Sequence, residues 1–254
     1  MRAWSVRTVP PLMTGTLALP GTFELEIENC TSFVGFSFRT GGWNPHVETV
    51  NEMLDNPNLA FEESTLARLY EGFQPRTLQE LFVEDAKAAL EPLSSLPAVR
   101  SLFRYVWALS PALIRSFDPA TPPQGHHYFG PMRPGGGQRQ FDRLRAVLTS
   151  IQAGGYQRER YGTMLGYFLT DGSDYRFVIG SGNHRVSILK ALGHRRVLAS
   201  LNHSHPAVIH EQRLSSWSRA VGGPFDEGTA EALFGKLFLE DGLDKARNLG
   251  LVGS

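Results

Sequence analysis

The sequence predicts an α+β protein, on three observations. Short segments carry apolar residues at every second position, the period of a half-buried strand. Longer segments carry them at three- and four-residue spacings, as helices do. In the C-terminal half these arrive as helix, strand, hairpin, strand, glycine turn, helix and strand. With 254 residues, 41% of them apolar, the chain has material for a sizeable core.

In chain order, residues 22–29 (TFELEIEN) set Phe23, Leu25 and Ile27 against polar neighbours, and residues 32–39 (SFVGFSFR) alternate again. The short link between them predicts a β-hairpin. Its edge would either accept a peptide as an added strand or be covered by the protein's own loops. Helices are predicted over residues 46–54, 61–73 and 97–109. Another opens at the capping box of Thr77 and Glu80 and runs through Leu81, Phe82, Ala86 and Leu90. These elements make an N-terminal region, residues 1–110.

Residues 111–138 are dense in proline and glycine, so regular structure should be sparse there. The segment is read as a linker or as a loop lying over a C-terminal site. Gly135, Gly136 and Gly137 lack the lysine-serine ending of a phosphate loop and read as a turn. His126 and His127 offer a metal pair only if the backbone bends to aim both rings at one point.

Residues 139–254 form the third part. A helix over 140–153 places Phe141, Leu144, Leu148 and Ile151 on one face and turns Arg143 and Arg145 away from it. Residues 163–170 and 175–180 flank Asp171-Gly172-Ser173-Asp174, a hairpin signal. The turn GSGNHR follows, then the helix-like VSILKAL, a stop at Gly193 and a strand over 197–201. A helix over 229–239 closes the core, and the tail beyond Gly242 is expected to fray.

The candidate ligand-binding residues are Gly180, Ser181, Gly182, Asn183, His184 and Arg185. A strand feeding a glycine turn at a helix start gathers free backbone N–H groups and the positive end of a dipole. Arg185 adds a planar two-pronged cation suited to phosphate or carboxylate. The plain alternative is a tight turn with a surface arginine.

This turn, with its apolar helix, glycine and short strand, resembles the ParB/sulfiredoxin superfamily over residues 161–201 or somewhat beyond. Members carry GxxR or D-G-x-H-R motifs that hold nucleotide phosphates. The matching positions are Gly180, Gly182, His184 and Arg185. The resemblance implies a ParB/sulfiredoxin-like C-terminal domain with an anion pocket. Two departures narrow its functional implications. Asn183 stands where sulfiredoxins carry their reactive cysteine, and the lone Cys30 is remote. No helix-turn-helix pair is evident after residue 202, as chromosome-partitioning members would require.

Charge and composition exclude further classes. Lysine plus arginine equals aspartate plus glutamate, 25 against 25, which speaks against a dedicated nucleic-acid binder. Arg143, Arg145, Arg158, Arg160, Arg195 and Arg196 form either a local basic patch or ordinary solvated faces. No apolar run approaches the roughly 20 residues that span a bilayer. Pro10, Pro11 and Gly15 break any signal-peptide pattern. A single cysteine suits a reducing compartment, so a cytoplasmic location is expected. His203, His205 and His210 offer a second metal pattern, interrupted by Pro206. The nearby acids are Glu159, Asp171 and Asp174, of which Asp171 and Asp174, at a hairpin tip, read as structural more readily than as a catalytic base.

The sequence therefore predicts a non-catalytic binding protein whose anion pocket needs no cofactor. In that reading it is an accessory protein that grips a peptide or small anionic ligand in a bacterial biosynthetic pathway. The alternative is a nucleotide-dependent phosphotransferase or NTPase using ATP or CTP with Mg²⁺. A homodimer is open in either case.

Overall fold

The computed structural model describes residues 4–6, 21–83, 86–103, 106–109, 111–118, 120–202, 206–215 and 225–253. The α+β class holds: helices pack around one mixed sheet. Its strands are β1 (Trp4–Val6), β2 (Phe23–Glu26), β3 (Cys30–Ser32), β4 (Met164–Thr170), β5 (Tyr175–Ser181), β6 (Arg196–Leu201) and β7 (Val208–His210). They lie in the order β1-β2-β6-β4-β5-β3. β7 continues the β6 side of β4, pairing with Phe168–Thr170 where β6 pairs with Met164–Gly166. Strands from both ends of the chain thus share one sheet, and the buried side chains form one continuous core.

The predicted hairpin at residues 22–39 is not formed. β2 pairs antiparallel with β6, and β3 pairs parallel with β5, with a single 3₁₀ turn (Ile27–Asn29) between them. In a flat sheet β2 and β3 would stand about 19 Å apart, four strand spacings. The four Cα steps from Glu26 to Cys30 reach at most about 15 Å. The sheet must therefore curl, and the ring of Phe23 on β2 does meet Phe177 on β5, centroids 5.9 Å apart. Alternation identified β2 as a strand but carried no information on its partner.

The second half of that prediction fails for a different reason. Residues 33–38 fold back over β3: Ser32 N–H donates to Phe36 O (2.8 Å), and Phe38 N–H to Cys30 O (3.2 Å). Phe33, Val34, Phe36 and Phe38 are all buried, so both parities face protein. The outer edge of β3 is covered by the chain itself.

Ten helices are described. The first five are α1 (Pro45–Asp55), α2 (Thr65–Gly72), α3 (Leu78–Phe82), α4 (Arg100–Phe103) and α5 (Pro111–Arg115). The rest are α6 (Gly136–Gly154), α7 (Arg158–Tyr161), α8 (Asn183–Ala191), α9 (Glu227–Phe238) and α10 (Leu243–Asn248). The Asn44 side chain accepts from His46 N–H (3.1 Å) and Pro45 occupies the first turn, which fixes the start of α1. Thr77 caps α3 through Glu80 N–H (3.2 Å), but the helix stops at Phe82 instead of continuing to Leu90. α1 packs against α8 and α6. No described helix is long and apolar enough to cross a membrane.

The tail does not fray at Gly242. α10 follows, and Lys245 is 4% exposed, its Nζ donating to Val34 O (3.1 Å) and Leu81 O (3.2 Å). The ammonium also lies over the rings of Phe36 and Phe73.

Candidate functional site: an arginine-lined cleft at the start of α8

β5 delivers the chain to the GSGNHR turn. Gly182 takes φ 104° and is the N-cap of α8. A Cβ there would lie 3.0 Å from Arg185 Nη2 and 3.2 Å from Met164 Sδ, in a backbone conformation that L side chains avoid. The first intrahelical bond runs from Val186 N–H to Gly182 O (3.0 Å). The amides of Asn183, His184 and Arg185 therefore precede the hydrogen-bonded ladder, at the positive end of the dipole.

The three side chains have different employments. Asn183 is 4% exposed and belongs to an internal chain of hydrogen bonds. Asn44 Nδ2 donates to the Tyr128 hydroxyl (3.4 Å), which donates to Asn183 Oδ1 (3.1 Å). Asn183 Nδ2 then faces His127 Nε2 at 3.2 Å. An amide NH₂ only donates, so His127 Nε2 accepts and its proton sits on Nδ1. One guanidinium nitrogen of Arg185 donates to the Tyr161 carbonyl, so its fork is partly committed to α7. The His184 Nε2 is buried with no partner, as are both ring nitrogens of His46 behind it, the two rings 5.0 Å apart.

All six residues of the turn line a cleft of about 860 Å³. A second wall is the face of α6 that carries Gly136, Arg139, Gln140, Arg143 and Val147, at helical spacing. The proline- and glycine-rich segment supplies His126, His127 and Arg133, while Phe33 and Phe103, stacked at 5.3 Å, supply an aromatic wall. Of the two readings of that segment, a linker or a loop lying over the C-terminal site, the placement fits the second: it forms part of the wall beside the turn.

Six arginines line the cleft (Arg100, Arg133, Arg139, Arg143, Arg160 and Arg185), and no carboxylate among the described residues does. None of the six forms an ion pair among the described residues. Basic residues elsewhere do find acids: Arg196 pairs with Glu24 and Glu26 at 3.1 and 2.7 Å. Unpaired like charges lining one concavity focus a positive potential there, even in a chain of zero net charge.

The histidines beside these cations are held neutral. Burial, aided by Arg143 and Arg185, pushes His184 down to about 4. Burial likewise holds His46 and His127 well below the usual imidazole range, with neighbouring imidazoles adding to the effect. The lone Cys30 is fully buried and its thiol is pushed up, so it is inert.

Other candidates read from the sequence lie elsewhere. Asp171 and Asp174 sit at the β4–β5 hairpin tip, where Asp171 Oδ1 accepts from Ser173 and Asp174 N–H (2.7 and 2.8 Å), a structural turn. The Glu159 side chain, like His203 and His205, falls outside the described residues. No group of three His, Cys, Asp or Glu is placed to hold a metal among the described residues. Of the predicted basic patch, Arg143 and Arg160 line the cleft. Arg145 instead donates to Leu59 O, and Arg196 is ion-paired.

Sequence reasoning missed Arg100, Arg133 and Arg139 and took Arg143 for a patch or solvated face. The available signal was the repeat of arginines at 139 and 143 on the α6 face opposite its apolar one. The arrangement can bind anions and exclude cations, and its neutral imidazoles can accept or donate hydrogen bonds to a ligand. No protein-family model, curated protein or solved structure matches the chain.

Proposed function

We propose that the chain is a binding protein for a phosphate-bearing polyanion, held between the GSGNHR turn and the arginines of α6. The observation that carries the reading is the charge distribution: zero net charge overall, yet six arginines around one cleft that form no ion pair among the described residues. Three amides ahead of the α8 ladder add donors at the same place. The cleft falls within the roughly 300–1,000 Å³ of small-molecule sites. The resemblance of Gly180, Gly182, His184 and Arg185 to the phosphate-holding motifs of the ParB/sulfiredoxin superfamily supports the same ligand chemistry.

An accessory role in a biosynthetic pathway is compatible with this reading, but a peptide added to a strand edge is not its route. The hairpin that would have offered the edge is absent, and the edge of β3 is covered by residues 33–38. Phosphoryl transfer from ATP or CTP would use the same cleft and needs a base beside the bound phosphate. The described lining offers imidazoles for that role and no carboxylate.

The test is calorimetric titration of wild type and Arg143→Ala with ATP, ADP, CTP and inorganic triphosphate. Arg143 is chosen because, unlike Arg185, it makes no hydrogen bond within the protein among the described residues. Wild type should bind at least one of these ligands, and the variant should bind it about 10- to 100-fold more weakly, the worth of a charged hydrogen bond. Absence of heat from all four would overturn the reading. Release of inorganic phosphate or a labelled acceptor would move phosphoryl transfer ahead of simple binding.

A further inference from the structure

The geometry points to a cleft that takes its polyanion without a divalent cation, the arginines supplying the counter-charge that Mg²⁺ supplies in most nucleotide sites. This rests on the phosphate reading above and specifies the form of the ligand.

Three observations carry it. Mg²⁺ is normally anchored by one or two carboxylates together with the substrate phosphates. The described cleft lining contains no carboxylate, and its remaining titratable groups include the imidazoles of His126, His127 and His184, a ligand type that Mg²⁺ does not favour. The guanidinium groups are already present, with no ion pair among the described residues, on α4 (Arg100), the segment before α6 (Arg133), α6 (Arg139 and Arg143), α7 (Arg160) and α8 (Arg185). A chelated Mg²⁺ cancels two negative charges on the ligand and brings a cation among six others. Arg143 and Arg185 already disfavour the charged form of His184, and the same field opposes a metal ion.

The walls also suit such a ligand sterically. The α6 face runs from Gly136 to Val147 along the cleft, so its two arginines stand one helical turn apart. Neighbouring phosphates can then be met by successive guanidinium forks, which bind phosphate in two-pronged fashion.

The experiment is calorimetry of the full chain with ATP, and with inorganic triphosphate, in EDTA and in excess MgCl₂ at matched ionic strength. The dissociation constant in EDTA should be lower by about tenfold or more. Equal or tighter binding in Mg²⁺ overturns the inference and leaves the phosphate cleft standing. No heat from either ligand in either buffer overturns both. As a second arm, Arg143→Asp places a carboxylate in the wall and removes a guanidinium. In that variant, checked for native thermal unfolding, the preference for the metal-free ligand should shrink to parity or invert. An unchanged preference would overturn the assignment of the effect to these arginines.

Discussion

The Tyr128 hydroxyl donates to Asn183 Oδ1 across 3.1 Å, joining the proline- and glycine-rich segment to the first residue of α8. Both residues are buried, and Asn44 Nδ2 reaches the same hydroxyl from the start of α1. The N-terminal end of α8 is therefore clamped from behind by side chains far earlier in the chain, and Asn183 serves as a fastener in place of a reactive group. Tyr128→Phe leaves the Asn183 oxygen without its donor and should cost about 1–3 kcal/mol. Asn183→Ala should cost a similar amount, and the double variant less than the sum. Urea unfolding of the four proteins measures the coupling; strictly additive losses would show that the bond is not a stabilising one.

The arginines of the cleft should act with opposite sign on the free and the liganded protein. Arg139 and Arg143 are like charges at i, i+4, an arrangement that destabilises by about 0.2–0.5 kcal/mol. Arg143→Ala should therefore leave the free protein as stable or slightly more so. The same change should reduce the rise in thermal midpoint that inorganic triphosphate gives the wild type. Thermal scans with and without triphosphate check both halves. A variant that is destabilised alone yet gains as much from triphosphate would contradict the placement of Arg143 in the ligand's path.

Stability should fall on mild acidification. His46, His127 and His184 have folded-state values below the roughly 6.5 of an unfolded histidine. Below that value the unfolded chain binds more protons than the folded one, so stability rises with pH across the window. The stabilisation is complete above about 6.5 and, for His184, is lost progressively as pH falls toward about 4. For His184 alone the loss is on the order of 3 kcal/mol. Urea midpoints at pH 7.5 and 5 test this, and His184→Gln should flatten the dependence. A midpoint indifferent to pH would mean that these rings are not held neutral.

Much of this architecture was legible from residue patterns, and most of what was not depends on contacts distant in sequence. The helices over α1, α6, α8 and α9 were readable because their caps and apolar stripes are local properties. The β4–β5 hairpin was readable because its Asp171–Asp174 turn is local too. What β2 pairs with is not local: its partner β6 lies some 170 residues on, and nothing in TFELEIEN encodes that choice. The GSGNHR turn could be found as a short motif. The arginines facing it could not, since they come from four separate helices or loops, and only the fold brings them to one cleft. His126 and His127 looked like a poor metal pair and are instead wall residues, with His127 fixed by Asn183.

Lys245 carries the ammonium that fastens α10 to the rest of the fold. Its Nζ serves two carbonyls, Val34 O in the turn after β3 and Leu81 O in α3, elements far apart in sequence. The site lies under the rings of Phe36 and Phe73, where burial makes each unsatisfied carbonyl costly. Lys245→Met keeps the length and apolar packing of the stem but removes both donors. It should destabilise the protein by about 2–6 kcal/mol, one desolvation penalty for each orphaned carbonyl. The cleft is built by other elements, so triphosphate affinity of the folded fraction should be unchanged. Urea unfolding and calorimetry together decide the matter: a variant as stable as wild type would show that the ammonium's desolvation cost cancels its hydrogen bonds. A loss of affinity without a loss of stability would instead tie α10 to the cleft.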